Sequence, residues 1–175
     1  MIAKIKSCAL AGVEGYIIDV EVDTSSGLPA FDLVGLPDSA VKESKERVRS
    51  AIKNSGYEFP IKRITVNLAP ADIRKEGPAF DLPIAIGILY ASNLIKQDQI
   101  NNTLIIGELS LDGSIRPVNG VLPMIYSAFN YEYKNFIVPY ENAEEAALIE
   151  GANILPVKNL KEVVNHFCGK QKRCV

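Results

Sequence analysis

A serine and a lysine lie one helical turn apart in the first third of the chain. Ser39-Ala40-Val41-Lys42 matches the Ser-x-x-Lys pattern, in which a serine attacks a carbonyl carbon and a lysine assists it. Enzymes that use this pair also need Ser-Asp-Asn and Lys-Thr-Gly elements, and this sequence has neither. Because a serine near the start of a helix commonly caps it, we predict a capping role for Ser39.

Two further groups of side chains could act as acids, bases or metal ligands. The first group is acidic and consists of Asp72, Glu76, Asp81 and Glu108. Nothing in their spacing brings them together, and Asp81 is predicted to cap the start of a helix. The second group is His166, Cys168 and Cys174. It lacks a fourth zinc ligand and matches no standard zinc-binding spacing. We therefore predict no metal site in this chain.

Positive charge is concentrated in the middle of a chain whose formal net charge is -2. Residues 38–75 carry nine basic and five acidic groups, a net charge of +4. Four of the basic residues recur at helical spacing and would form a stripe: Lys42, Lys45, Arg49 and Lys53. Others fall near predicted strand ends: Lys62, Arg63, Arg74, Lys75 and Arg116. These nine residues are candidates for contacts to nucleic-acid phosphates, and the alternative is an ordinary solvated surface.

The elements that must position these side chains begin with a predicted antiparallel hairpin. Residues 16–22 alternate between apolar and acidic side chains, which is the two-residue period of a half-buried strand. Residues 2–10 would form the other strand of the hairpin. Asp38 or Ser39 is then predicted to cap a helix that runs to about Asn54.

Strands and helices alternate in the remainder of the chain, which predicts parallel strand pairing in an α/β region. The predicted strands are 31–34, 64–68, a single strand made of 104–106 and 109–111, 114–118, 136–138 and one near Ile154. The predicted helices are 82–94, 121–131, 143–150 and 160–167. Asp112-Gly113 is the strongest hairpin signal in the sequence.

The composition is that of one globular domain. The chain has 175 residues, of which 47% are hydrophobic and 23% charged. We predict a single domain over residues 1–168, and a tail or the start of a linker over 169–175. No apolar run approaches the length of a membrane span, and the first residues alternate like a strand rather than a signal peptide. We therefore expect a cytoplasmic protein without a membrane partner.

The segment Gly77-Pro78-Ala79-Phe80-Asp81 resembles the Gly-Pro-Ser-Ala-Gly turn that carries the nucleophilic serine of Lon-type proteases. The segment Gly107–Gly120 resembles the Lon segment that leads to the partner lysine. In this chain Ala79 stands at the serine position and Leu122 at the lysine position. A methyl group cannot attack a carbonyl carbon, so the resemblance implies a Lon-like domain without its catalytic residues.

Two other families are more similar. Gly107-Glu108-Leu109-Ser110-Leu111-Asp112-Gly113-Ser114-Ile115-Arg116-Pro117-Val118 resembles the Gly-Glu-x-x-Leu-x-Gly-x-x-Arg-Pro-Val segment in the Lon-like domain of RadA helicases. The amino-terminal domain of the ComM/YifB family, also called magnesium-chelatase-like, is closer still. The segments that resemble it include Val34-Gly35-Leu36-Pro37, Arg47-Val48-Arg49-Ser50-Ala51, Asn67-Leu68-Ala69-Pro70-Ala71-Asp72 and Asp81-Leu82-Pro83-Ile84-Ala85.

This resemblance implies a fold and a setting. The fold is an α/β (α+β) two-layer sandwich of the Lon-protease-like type, also described as ribosomal protein S five domain two-like, with a mixed sheet that starts with an antiparallel hairpin. The setting is the amino-terminal domain of a hexameric AAA+ ATPase that acts in DNA recombination and natural transformation (competence). Its partners would be its own AAA+ module, neighbouring subunits and DNA.

The chain lacks the Gly-x-x-x-x-Gly-Lys-Ser/Thr sequence of a P-loop. We therefore expect no cofactor in this chain, and expect ATP and magnesium only in the full-length protein. Our main hypothesis is a non-catalytic domain that guides DNA or contacts subunits. The alternative is a Lon-like peptidase or hydrolase with a non-standard nucleophile such as Ser39, Ser110 or Ser114. A third is a subunit related to magnesium chelatase.

Overall fold

The computed structural model describes residues 2–96 and 98–169. The strands are β1 (Ile2–Ala11), β2 (Glu14–Ser25), β3 (Ala30–Val34), β4 (Arg63–Ala69), β5 (Thr103–Ile105), β6 (Glu108–Leu109), β7 (Ile115–Arg116), β8 (Asn135–Pro139) and β9 (Asn153–Val157). The α-helices are α1 (Ser39–Lys42), α2 (Ser44–Asn54), α3 (Asp81–Ala91), α4 (Val121–Asn130), α5 (Ala143–Ala146) and α6 (Leu160–Cys168). Two short 3-10 helices cover Asp98–Asn102 and Tyr140–Asn142.

Seven of the strands form one mixed sheet in the order β3-β4-β2-β1-β5-β8-β9. The pairs β1–β2 and β2–β4 are antiparallel, whereas β3–β4, β1–β5, β5–β8 and β8–β9 are parallel. The remaining strands, β6 and β7, pair with each other and lie outside this sheet. This arrangement confirms the predicted mixed α/β fold of the Lon-like type and its opening hairpin.

One face of the sheet packs against α2, α3 and α6. The alternation in β2 places Ile18, Val20 and Val22 in this core, where all three are fully buried. Helix α3 is buried on nearly every side, since Tyr90 alone among its residues is only partly buried. Gly87 lets this helix approach the sheet closely, because a Cβ atom there would lie 2.6 Å from Cγ2 of Val22.

The other face of the sheet is covered over only part of its area. Helix α4 packs against β1 and β2, and Met124 and Ile125 join a second core with Phe136 of β8. The fold is therefore two-layered at the β3–β4 end and has helices on both faces around β1, β5 and β8. Nearer the β4 end the open face is polar: Lys6 pairs with Asp19, and Asn67 donates to Glu21 over 2.9 Å.

The predicted elements agree in type with the structure but differ at several breaks. The helix predicted to run to Asn54 is interrupted at Glu43, and Ser44 at the start of α2 turns its hydroxyl inward. The helix predicted over 82–94 ends at Ala91, where the Ser92 hydroxyl donates to the Ile88 carbonyl. The helix predicted over 143–150 is α-helical only to Ala146. None of the helices in the described ranges is long and apolar enough to cross a membrane.

We predict that Gly87→Ala destabilises the chain although alanine favours a helix. The gain in helix propensity is about 1 kcal/mol, whereas forcing a methyl group into a well-packed core costs about 1–3 kcal/mol. We expect the free energy of unfolding in urea to fall by about 1 kcal/mol. In a chain that already carries Val22→Ala, Gly87→Ala should lower the free energy of unfolding by less than it does in the wild type. A rise in stability for Gly87→Ala would contradict the close approach of α3 to β2.

Candidate functional site

The turn between β4 and α3 carries Ala79 and is held from two sides. Gly77 has a φ of 78°, and its N–H donates to Oδ2 of Asp38 over 3.2 Å. On the other side, the N–H of Gly107 donates to the Ala79 carbonyl and the N–H of Leu82 donates to the Gly107 carbonyl, each over 3.0 Å. The chain leaves β5 at this point, which is why the apolar stretch from residue 104 to 111 forms two separate strands.

Asp81, the first residue of α3, forms the next set of contacts around this turn. Asp81 is fully buried and accepts hydrogen bonds from the Ser44 hydroxyl at 2.5 Å, Arg47 Nε at 2.6 Å and the Leu109 N–H at 3.1 Å. Arg47 also donates to the Ala40 carbonyl over 2.9 Å. Asp81 therefore joins α2, α3 and β6. The expected capping role of Asp81 is wrong, because its carboxylate bonds to other elements and the N-cap residue is Phe80.

Burial and hydrogen bonding act against each other in this ion pair. Burial raises the pKa of Asp81, and the hydrogen bonds from Arg47, Ser44 and Leu109 oppose that rise. The hydrogen bond from Arg47 to Asp81 raises the pKa of Arg47, so the guanidinium remains charged. The carboxylate uses its oxygens on protein donors, which leaves Asp81 in a structural role.

A cavity of about 460 Å³ lies beside Ala79. Its floor includes Ala79, Val118 and Met124, which pack in one hydrophobic cluster. Its rim carries the carboxylates Asp38, Glu76 and Glu108. Ala79, at the position that the resemblance to Lon assigns to the serine, carries only a methyl group, and Leu122 occupies the first turn of α4, partly exposed.

Cys8 also lines this cavity, although its sequence context gave no sign of a site. It is a buried free cysteine on β1, and burial raises the pKa of its thiol to about 12. Since the thiolate is the reactive form, the neutral Cys8 thiol is a poor nucleophile near pH 7. No spacing in the sequence could have indicated its position, because pairing with β2 and packing against α4 place it there.

Of the three serines considered as alternative nucleophiles, Ser39 lies on α1, whereas Ser110 and Ser114 lie together in the β6–β7 hairpin, where the Ser110 N–H donates to the Ser114 carbonyl over 2.9 Å. Ser39 is the first residue of α1, and Asp38 is the cap, since Asp38 Oδ1 accepts from the Val41 N–H at 2.8 Å. Of the two residues predicted as the cap, Asp38 is therefore confirmed, and the capping role of Ser39 is wrong. The Ser110 hydroxyl accepts from Arg116 Nε at 2.7 Å, and the Ser114 hydroxyl donates to Asp112 at 2.6 Å. Neither of these two hydroxyls has a lysine or histidine partner within the described part of the chain.

The nine basic candidates do not form a single patch. Lys42, Lys45, Arg49 and Lys53 follow α1 and α2 as expected, although Arg49 is paired with Glu46 at 3.2 Å. Lys62 and Arg63 lie where β4 begins, while Arg74 and Lys75 follow its other end. Seven residues of strand separate these ends by about 20 Å. Arg116 lies apart on β7.

Lys75 is the exception within this set. Its side chain is fully buried and its ammonium donates to the Pro70 carbonyl. Burial lowers the pKa of Lys75, against the opposing influence of Asp72. A buried ammonium cannot reach a phosphate in this conformation, so the structure does not bring Lys75 to a nucleic-acid surface. Its sequence position next to exposed Arg74 and Glu76 carried no sign of this burial.

The candidate metal ligands are dispersed. Glu76 and Glu108 share the rim of the cavity, but Glu76 is paired with Arg74 at 3.2 Å and Asp81 is paired with Arg47. Within residues 2–96 and 98–169, no three His, Cys, Asp or Glu side chains form a group that could hold a metal ion. Cys174 lies outside the described residues.

We predict that Asp81→Ala is strongly destabilising. It leaves Arg47, whose side chain is only 19% exposed, without its buried partner, and breaking such a pair costs about 3–5 kcal/mol. Glu46→Ala is the matched control, because it removes the carboxylate from an exposed pair with Arg49 and should cost less than about 1 kcal/mol. Urea unfolding of both variants measures the difference. Equal decreases in stability would contradict the central role of Asp81.

Comparison with known proteins finds relatives that include ComM, YifB and, at lower identity, a Lon protease. The chain is 44% identical over 171 residues to the competence protein ComM of Haemophilus influenzae, covering 98% of this chain and 33% of that protein. It is 45% identical over 162 residues to the protein YifB of Escherichia coli strain K12, covering 93% of this chain and 32% of that protein. Lon protease 2 of Bacillus subtilis is more distant, at 35% identity over 131 residues, or 74% of this chain and 23% of that protein.

The chain thus spans about a third of the length of ComM and YifB. A family model described as subunit ChlI of Mg-chelatase matches residues 20–142, which is most of the chain. With a Lon-like fold and ComM and YifB similarity over nearly its whole length, the chain belongs to the ChlI family.

Proposed function

We propose that this chain is a non-catalytic Lon-like domain of a ComM-type protein, in which it guides DNA or contacts neighbouring subunits. The observation that carries the proposal is Ala79. The turn that would present a nucleophile is hydrogen-bonded to Asp38 and Gly107, yet it presents a methyl group. The turn therefore has a defined geometry but no hydroxyl at position 79, which favours a binding role over catalysis.

The remaining two thirds of a ComM-type protein would supply the motor. In this proposal an AAA+ module binds ATP and magnesium, and the hexamer that it forms places copies of this chain next to one another. The name of the Haemophilus relative associates that protein with competence. From it we infer that the setting is recombination of incoming DNA during natural transformation.

The basic stripe on α1 and α2 supports the DNA part of the proposal. Lys42 and Lys53 are exposed, Lys45 is partly exposed, and no salt bridge within the described residues involves any of the three. The guanidinium carbon of Arg49 lies 5.4 Å from the centre of the Phe59 ring, which restrains one of the four cations of the stripe. Lysines of this kind contact phosphates without reading sequence.

We predict that the stripe contributes to binding of forked DNA. The triple variant Lys42→Gln, Lys45→Gln and Lys53→Gln should bind more weakly at low salt. The slope of log K against log salt concentration should become shallower by about one for each phosphate that the variant no longer neutralises. A charge-matched control is the triple variant Lys96→Gln, Lys134→Gln and Lys161→Gln, which removes exposed lysines outside the stripe.

Equal effects of the two triple variants would contradict a specific role of the stripe. The broader proposal is tested by deleting this domain from a ComM-type protein. If DNA binding, assembly and helicase activity were all unchanged, the proposal would be wrong.

We further predict that the chain is not a serine hydrolase. A fluorophosphonate probe should label neither the wild-type chain nor a variant lacking Ser39, Ser110 and Ser114 above the background of denatured protein. The physical reason is that Ala79 carries no hydroxyl, while the Ser110 and Ser114 hydroxyls are bonded to Arg116 and Asp112. Labelling of the wild type that disappears in the triple variant would establish the hydrolase instead. Binding of a tetrapyrrole would favour a role related to magnesium chelatase.

A further inference from the structure

A second cavity, separate from the one beside Ala79, lies where the β6–β7 hairpin meets the junction between β9 and α6. Its volume is about 610 Å³, and it is lined in part by Ser110, Ser114, Arg116, Tyr140 and Lys158. We call it the Arg116–Lys158 cavity. None of the α1–α2 lysines contributes to it.

The two cations in this cavity are exposed and are oriented by neutral groups. The salt bridges of the described residues involve other cations, so neither Arg116 nor Lys158 is neutralised by a close ion pair there. Arg116 uses Nε to donate to the Ser110 hydroxyl, which leaves its two terminal nitrogens as donors. Lys158 Nζ lies 4.4 Å from the centre of the Tyr140 ring. The direct side-chain partners of the two cations, Ser110 and Tyr140, are thus neutral.

The backbone that carries these side chains is tied together across the cavity. The Ile115 N–H donates to the Lys158 carbonyl at 2.8 Å, and the Leu160 N–H donates to the Gly113 carbonyl at 2.9 Å. Ser114 and Asn159 form an isolated β-bridge between the same two segments. These bonds fix the spacing of the backbone positions that carry Arg116 and Lys158.

We propose that the Arg116–Lys158 cavity binds a phosphate group. The free edge of the Arg116 guanidinium matches two phosphate oxygens, Lys158 supplies a second positive charge, and the exposed Tyr140 ring offers a surface on which a base can stack. Glu141 lines the same cavity and Asp112 lies near Arg116, so these acids weaken the attraction for anions. The phosphate is that of a nucleic-acid backbone or of a small phosphorylated ligand, and the nucleic-acid form rests on the proposed function.

The test uses the 175-residue chain and two probes, inorganic phosphate and a short oligothymidylate. Amide chemical shifts measured during each titration locate the binding site, and fluorescence anisotropy gives the affinity for the oligonucleotide. Arg116→Gln and Lys158→Gln are both surface substitutions that should not affect folding. Lys161→Gln is the matched control, because Lys161 is exposed on α6 and does not line the cavity.

We expect inorganic phosphate to shift the amide signals of residues 110, 114–116 and 158. The affinity for phosphate obtained from these shifts should be about tenfold lower in either cavity variant. If the oligonucleotide also binds about tenfold more weakly to these variants, the ligand is a nucleic-acid backbone. If only phosphate binding changes, the site takes a small phosphorylated ligand, and the proposal for the cavity holds without the DNA function.

The proposal would be overturned if phosphate shifted no amide in the cavity, or if Lys161→Gln weakened phosphate binding as much as Lys158→Gln. Neither result depends on the α1–α2 lysines. A failure of the stripe experiment on forked DNA is therefore distinguishable from a failure of this cavity.

Discussion

The buried ion pair between Arg47 and Asp81 is the interaction on which the arrangement of this domain most depends. It joins α2 to the start of α3, and through the Leu109 N–H it fixes the position of β6. The turn that carries Ala79 lies between these elements and takes its shape from them. The pair therefore explains how this turn keeps its geometry with alanine at position 79: the same contacts hold the helices together.

The fold followed from the sequence wherever the pattern was local. The alternation in β2, the apolar character of α3 and the Asp112-Gly113 turn each reflect the environment of one element. The interruptions of the predicted elements could not be predicted from the sequence. The break in the helix at Glu43 and the separation of β5 from β6 both depend on a partner distant in sequence. For Ser44 that partner is Asp81, 37 residues away.

The candidate sites show the same division. Ala79 and Leu122 could be placed from the sequence because a resemblance aligned them with known catalytic positions. Lys75 could not, since its burial against the Pro70 carbonyl results from a loop that folds back between β4 and α3. Lys158 had no signal of its own, and only the docking of the β6–β7 hairpin brings it near Arg116. The charges counted along the sequence thus included the buried Lys75 among the surface candidates and left out the exposed Lys158.

The two outer strands of the main sheet differ in a way that bears on self-association. Strand β9 carries Pro156, which has no N–H to offer a further strand, so the sheet ends there. Strand β3 at the opposite border has no proline between Ala30 and Val34. The proline removes one donor from the β9 border, whereas every residue of β3 keeps its N–H. Pro156 therefore disfavours growth of the sheet into a fibre, which needs two receptive borders.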